Sequence, residues 1–196
     1  MKYLVCLNQI FHLEIKINLH MKALTVFSIT ASAILASAFT IYQSVNYKVK
    51  YDAYAITFKG GRVEGTFKGL KASIVFNESS PENSKIIATI DASSIETGNS
   101  LKDKHAKSEN GLNTKAFSLI GFESTSVTGK AGVYEAQGKL TLKGITKTVK
   151  LPFTFEHKGT ESLFKGKLTI IPNDFNVTKA GTPDVLEIDL TIPVTK

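Results

Sequence analysis

After residue 45, apolar and polar residues alternate along most of the chain, which is the pattern of half-buried β-strands. Val45, Tyr47 and Val49, for example, are separated by Asn46 and Lys48. Such runs recur at intervals of roughly 10 to 20 residues, with turn-forming Gly, Asn or Pro between them. The pattern predicts about eight or nine strands joined by short turns, and therefore an antiparallel sheet.

One stretch, 86–110, changes its period. Ile86, Ala88 and Ile90 alternate as in a strand, but after Thr97-Gly98-Asn99 the apolar and polar residues follow helical spacing. We therefore expect a short helical insert near residues 99–110, beside or over one end of the sheet.

Two other positions predict local geometry. Lys143-Gly144 indicates a tight hairpin, since Gly takes the positive φ that such turns need. Pro152 lies inside the strand predicted at 148–155 and indicates an edge, a bulge or a bend, because it has no N–H to donate.

A sandwich and a closed barrel both fit this strand pattern. Twelve Phe residues and no Trp suit an apolar lining. Several predicted inward positions are small, and these either leave space or only allow the strands to coil. Periodicity alone leaves a hollow barrel and a filled core equally open. The small residues are Ala72, Ala88, Ala136, Gly138 and Gly166.

The N-terminal part has the layout of a secretory signal peptide. Lys22 precedes an apolar run that ends at Ala36-Ser37-Ala38, a small-x-small cleavage pattern, so we expect cleavage after Ala38. An uncleaved anchor is the alternative, because the run reaches roughly the 20 residues needed to span a membrane. Residues 1–20 do not fit a signal peptide, and we expect translation to begin at Met21. The domains are then a leader, 1–38, and a β-domain, 39–196.

Charge and cysteine content narrow the function classes. After residue 38 the chain has 21 of its 24 Lys and Arg and 16 of its 17 Asp and Glu, a net charge of +5. The lysines are scattered along the strands, which does not indicate nucleic-acid binding but leaves transient contact with a membrane surface open. The only cysteine, Cys6, is lost with the leader, which excludes thiol and disulfide chemistry in the mature chain.

No catalytic or metal-binding motif is present. The β-domain has two histidines, His105 and His157, and no H-E-x-x-H or G-x-S-x-G pattern. Asp103 is too close in sequence to His105 to face it on a helix. We therefore predict no catalytic residue, no metal and no cofactor, and expect His105 to cap, to bond a loop or to point toward the barrel mouth.

Several motifs occur in order along the chain: Gly65-Thr66-Phe67, 72–77, 90–99 with 102–105, 122–124, 138–147 with Leu151-Pro152-Phe153, and 174–177. Together they resemble the YceI-like lipid/polyisoprenoid-binding family, and the resemblance covers about residues 45 to 194. The chain departs from the family's pattern at Ala106, where Leu is usual, and at Pro172, which replaces an arginine.

The resemblance implies a lipocalin-like, eight-stranded antiparallel β-barrel. It also implies export to the periplasm or beyond, an isoprenoid or other long apolar chain in the lumen (a quinone-like lipid included), and no established enzymatic activity.

On that basis we assign thirteen lumen candidates and three headgroup candidates. The lumen candidates are Ile56, Phe58, Phe67, Ile74, Phe76, Ile90, Phe122, Leu140, Leu142, Phe153, Phe155, Phe164 and Ile170. The headgroup candidates are Asn99, Lys102 and His105.

Two alternatives to a lipid-binding protein remain at this point. One is an enzyme that modifies a lipid or quinone in the same barrel, with His105 as acid or base. The other is a structural or stress-response β-domain with a filled core and no ligand.

Overall fold

The alternating residues form ten strand segments, all paired antiparallel, in a computed structural model that describes residues 44–196. The predicted start-site segment, signal peptide and cleavage site lie outside the described residues. Within this range, no helix combines the length and apolar content needed to cross a membrane. The strands are β1 Val45–Val49, β2 Ala55–Gly60, β3 Val63–Thr66, β4 Lys71–Phe76, β5 Lys85–Asp91, β6 Leu119–Lys130, β7 Val133–Leu142, β8 Ile145–Lys158, β9 Glu161–Ile170 and β10 Leu186–Thr195.

The ten segments close into a barrel with eight positions around its wall. β1 and β2 both pair with β10 and therefore share one position in the wall. β4 pairs with β1, and β3 pairs with β2, so β3 and β4 share the next position. β5 to β9 complete the circle between β4 and β10. The predicted eight-stranded antiparallel barrel is confirmed, and closure removes the exposed strand edges that an open sheet would leave.

Two tyrosines bridge the break between β1 and β2. The Tyr54 hydroxyl accepts the backbone N–H of Leu70 at 3.3 Å, and the Tyr51 hydroxyl accepts that of Ala72 at 3.3 Å. These hydroxyls replace the carbonyl partners that an unbroken strand would supply, which keeps the N–H groups satisfied.

The two local predictions from Gly and Pro are also confirmed. Lys143 and Gly144 both have positive φ, 50° and 76°, between the paired residues Leu142 and Ile145. The pairing of β8 with β9 runs from Lys158 only as far as Phe153, so it ends beside Pro152. Pro152 has no N–H to donate, and it lies where the pairing between β8 and β9 ends.

The predicted helical insert is α1, Ser100–Lys107, followed by a turn-rich segment that leads into β6. Asn99 is its N-cap: the side-chain oxygen accepts the N–H groups of Leu101 and Lys102 at 3.0 and 3.1 Å. None of its residues is buried. A helix of eight residues is marginal in isolation, so its position depends on the contacts of its two ends.

Candidate functional site

The inward faces of the strands enclose an apolar cavity of about 410 Å³. This volume lies within the about 300–1,000 Å³ that is usual for small-molecule sites. Every wall position contributes apolar side chains to it. The interior of the described domain is therefore hollow, which contradicts the filled-core alternative. Eleven of the lumen candidates line the cavity: Ile56, Phe58, Phe67, Ile74, Ile90, Phe122, Leu140, Leu142, Phe153, Phe164 and Ile170.

An aromatic cluster closes one end of the barrel. Phe76 lies at its centre, with ring centroids 5.0 Å from Tyr134, 5.0 Å from Phe155 and 5.3 Å from Phe164. Such edge-to-face contacts add to the stabilisation from burial. The cluster comprises Tyr47, Phe76, Tyr134, Phe153, Phe155 and Phe164.

Two lumen predictions need correction here. Phe76 and Phe155 do point inward, but they do not line the cavity. Both are surrounded by other rings of the aromatic cluster, and Phe155 is 4.5 Å from Phe164 between centroids. They form the floor below the hollow, because the strands bring six rings together at this end and leave no space between them.

The small inward residues do not all create space. Ala72, Ala88 and Gly166 line the cavity, whereas Ala136 is fully buried away from it. A Cβ on Gly138 would lie 2.6 Å from the ring of Phe122, so this glycine makes room for an aromatic side chain. The hollow therefore depends on particular small residues and not on their number.

The helix α1 lies at the open end of the barrel, and hydrogen bonds hold its first turn. The carboxylate of Asp103 accepts the hydroxyl of Thr97 at 2.6 Å and its backbone N–H at 2.7 Å. These two bonds hold the pKa of Asp103 below its ordinary value. Asp103 thereby fixes α1 to the segment that follows β5.

Two loops complete the mouth of the cavity, and they are tied together. The N–H of Leu112 donates to the carbonyl of Ala106 at 2.7 Å, which folds the chain back under the helix. The N–H of Thr178 donates to the carbonyl of Asn110 at 3.0 Å and connects this segment to the loop between β9 and β10. Leu112 is buried and lines the cavity, so the hydrogen bond from its N–H also positions part of the apolar lining.

Few polar side chains reach this mouth. Of the three headgroup candidates, Lys102 and His105 line the cavity, but Asn99 does not, because its side chain caps α1. Lys179 and Thr97 also line it and were not identified from the sequence. Both lie outside the strands, where no alternation indicates which way a side chain points.

His157 lies apart from the cavity, at the end that the aromatic cluster closes. Its Nε2 is 2.7 Å from Glu78 Oε1, and its Nδ1 is 2.9 Å from Ser162 Oγ. Ser162 is buried, so its hydroxyl is shielded from solvent.

Residues 44–196 contain no group of three or more His, Cys, Asp or Glu placed to hold a metal ion.

Comparison with known proteins agrees with this architecture. The sequence model described as "YceI-like domain" matches residues 42–195. The UPF0312 protein of Ectopseudomonas mendocina is 32% identical over 158 residues, which cover 76% of this chain and 79% of that protein.

Solved structures show the same fold. The crystal structure of Burkholderia cenocepacia BcnA has a TM-score of 0.70 at 24% identity and covers 76% of this chain and 100% of that one. A polyisoprenoid binding domain from Saccharophagus degradans has a TM-score of 0.58 at 11% identity and covers 78% of this chain and 99% of that one. On the match over residues 42–195 and the relative at 32% identity, the chain belongs to the YceI-like domain family.

Proposed function

We propose that this chain is an exported binding protein that holds one long apolar chain, of isoprenoid or other lipid type, lengthwise in the barrel. The observation that carries the proposal is the shape of the cavity: apolar along its walls, closed by rings at one end and open beside Lys102 and His105 at the other. A rod-shaped apolar ligand with one polar end fits this arrangement.

Burial of apolar surface supplies the driving force. At about 25 cal/mol per Å² of apolar surface, a chain that buries several hundred Å² gains roughly 10 kcal/mol before the costs of ordering. No bond in the ligand needs to change, so the proposal assigns no catalytic residue. The polyisoprenoid binding domain of Saccharophagus degradans, which shares the fold, supports an isoprenoid as the first ligand to test.

The polar end of the ligand would lie at the mouth. Lys102 on α1 and Lys179 on the loop after β9 both line the cavity there, together with His105. Ammonium and imidazole N–H groups are donors, so they suit a headgroup that carries acceptor oxygens. The positive charges of Lys102 and Lys179 favour an anionic headgroup over a neutral one.

The proposal of export rests on the sequence of the leader and not on the barrel. A signal peptide with cleavage near Ala38 would deliver the domain to the periplasm or the medium. N-terminal sequencing of the exported protein tests this part: a mature N-terminus at residue 39 is expected, and one within residues 1–20 would contradict it.

Native mass spectrometry with lipid extraction tests the binding proposal. The exported protein is expected to retain a prenyl or fatty chain in a one-to-one complex. An Ala88→Phe variant, which places a ring in the cavity, should be recovered without it, whereas Val133→Ser at the exposed closed end should retain it. Wild-type protein that is repeatedly free of ligand and takes up no prenyl or fatty chain would defeat the proposal.

A further inference from the structure

The open end of the barrel has a rim that surrounds the cavity mouth. We define the rim as residues 99–118, the turns 61–62 and 143–144, and the loop 171–185. Hydrogen bonds join three of these segments: Thr178 to Asn110 at 3.0 Å, and the Lys143 ammonium to the carbonyl of Asn176 at 2.6 Å. The turn 61–62 lies beside the loop 171–185, because a Cβ on Gly61 would be 3.9 Å from the Cβ of Pro183. The rim is therefore one connected surface.

Positive charge is concentrated on this rim. It carries seven Lys and Arg against four Asp and Glu, a net +3 of the +5 on residues 39–196. Its cations are Arg62, Lys102, Lys104, Lys107, Lys115, Lys143 and Lys179.

The rim and the barrel wall differ in how their cations are paired with carboxylates. Seven of the fourteen lysines outside the rim pair with carboxylates, as in Lys85 with Glu123 at 2.7 Å and Lys50 with Glu161 at 2.6 Å. Among residues 44–196, none of these seven rim cations forms such a pair; Lys68 and Glu96, which pair at 2.9 Å beside Thr97 at the mouth, lie outside the rim as defined. The wall thus offsets part of its positive charge with its own carboxylates, whereas the seven rim cations have no such partner among the described residues and remain available to a ligand surface.

Exposed apolar side chains gather at the same end. The described domain has eight exposed large hydrophobic residues, and five of them lie on the rim or directly next to it. Leu101 is 60% exposed on α1, and Lys102, Lys104 and Lys107 lie on the same helix. The five are Leu101, Phe117, Leu119, Ile171 and Val185.

We propose that the rim docks on an anionic phospholipid bilayer with the cavity mouth toward the lipid. Lysines attract the headgroups, and the exposed apolar side chains enter the interface, as in amphipathic segments that lie on membranes. The inference rests on the proposed function in one respect: an apolar ligand could then pass between bilayer and barrel without crossing water. This direct path, together with the five exposed apolar side chains near the mouth, favours a bilayer over an acidic protein as the partner.

Sedimentation with vesicles tests the charge requirement. Binding to phosphatidylglycerol-containing vesicles is expected, with little binding to pure phosphatidylcholine and a loss at high salt. Since one lysine near an anionic surface is worth about fivefold in affinity, Lys104→Glu with Lys107→Glu should weaken binding by at least about 25-fold. The matched pair Lys130→Glu with Lys158→Glu, at the closed end, should have no such effect.

Fluorescence tests the orientation, because the chain has no Trp. Leu101→Trp is expected to shift its emission to the blue on anionic vesicles, whereas Val133→Trp, at a site 65% exposed at the closed end, is not. Equal shifts, equal losses from both lysine pairs or no preference for anionic lipid would overturn the proposal. Retention of an acidic polypeptide without vesicle binding would also overturn it and would indicate a protein partner.

The two proposals fail separately. Uptake of a prenyl chain from detergent solution without vesicle binding would refute docking and leave the binding function intact. Vesicle binding without uptake of a prenyl chain would refute the binding function and leave docking intact.

Discussion

Enlarging one cavity residue should stabilise the ligand-free protein and weaken ligand binding. Ala88 is the residue to change, because it lines the cavity from β5 and lies opposite Ala72 and Phe122 in the sheet. In a filled core, Ala88→Leu would overpack and cost about 1–3 kcal/mol. In a hollow one, the added carbons enter empty space.

The size of the effect follows from three added carbons. At about 0.8 kcal/mol per buried CH₂ they gain at most about 2.4 kcal/mol. Fixing the Leu rotamer costs about 0.5–1 kcal/mol, which leaves a net stabilisation of about 1–2 kcal/mol. A ligand that loses contact with the same volume should bind about 50-fold more weakly, since 1.4 kcal/mol is about a factor of ten.

Urea unfolding of delipidated protein measures the free energy of unfolding, and titration with a fluorescent prenyl chain measures affinity. Ala136→Leu is the matched control, because Ala136 is another inward alanine but is 0% exposed and lies outside the cavity. It should destabilise the fold by about 1–3 kcal/mol. Equal destabilisation by both substitutions would refute the inference that the interior near Ala88 is hollow.

Three further substitutions test the floor, the helix tie and the mouth. Phe76→Ala should lower the free energy of unfolding by about 3–5 kcal/mol in urea, because it opens a void amid closely packed rings; a cost below about 1 kcal/mol would contradict the packed floor. The pKa of Asp103 is lowered in the folded protein, so the stabilisation from its hydrogen bonds to Thr97 is complete above the ordinary pKa of 3.8 and is lost as pH falls through the lower folded value. Amide hydrogen exchange in α1 should become faster in that acidic range, and in Asp103→Ala it should be fast at neutral pH as well. Ala106→Leu, which restores the residue usual in the family, should slow ligand entry in stopped-flow fluorescence because Ala106 lines the mouth; unchanged entry would place the route elsewhere.

The sequence could predict the strands because alternation is a local signal, whereas the choice of a barrel over a sandwich came from the resemblance to the YceI-like family. Strands with one face on the cavity mostly repeat apolar residues at every second position, as Leu140 and Leu142 do in β7. The hairpin at Lys143-Gly144 and the end of pairing at Pro152 are equally local, since each depends on the backbone of one or two residues. Such features can be inferred without knowledge of distant contacts.

The depth of the hollow could not be inferred in that way. Ile74 and Phe76 lie on the same face of β4 and follow the same alternation, yet Ile74 lines the cavity and Phe76 fills the floor. The difference arises from rings that other strands bring to the closed end, such as Tyr134 and Phe164. Contacts between residues so distant in sequence leave no periodic signal.

The mouth was the hardest part to predict. Lys102 and His105 could be placed there because they lie on the one helical segment, whereas Asn99 belongs to the same segment and instead caps the helix. Lys179 lies in an irregular loop, and its direction depends on ties such as the bond from Thr178 to Asn110. Side chains on loops take their direction from tertiary contacts.

A crystal structure of the protein with a bound prenyl chain would show directly whether the barrel holds its ligand lengthwise. We expect continuous density for one extended chain, from the mouth beside Lys102 and His105 to the rings of Phe153 and Phe164, with the wall unchanged. Density confined to the outer surface, or side chains that fill the cavity and exclude the chain, would contradict lengthwise binding.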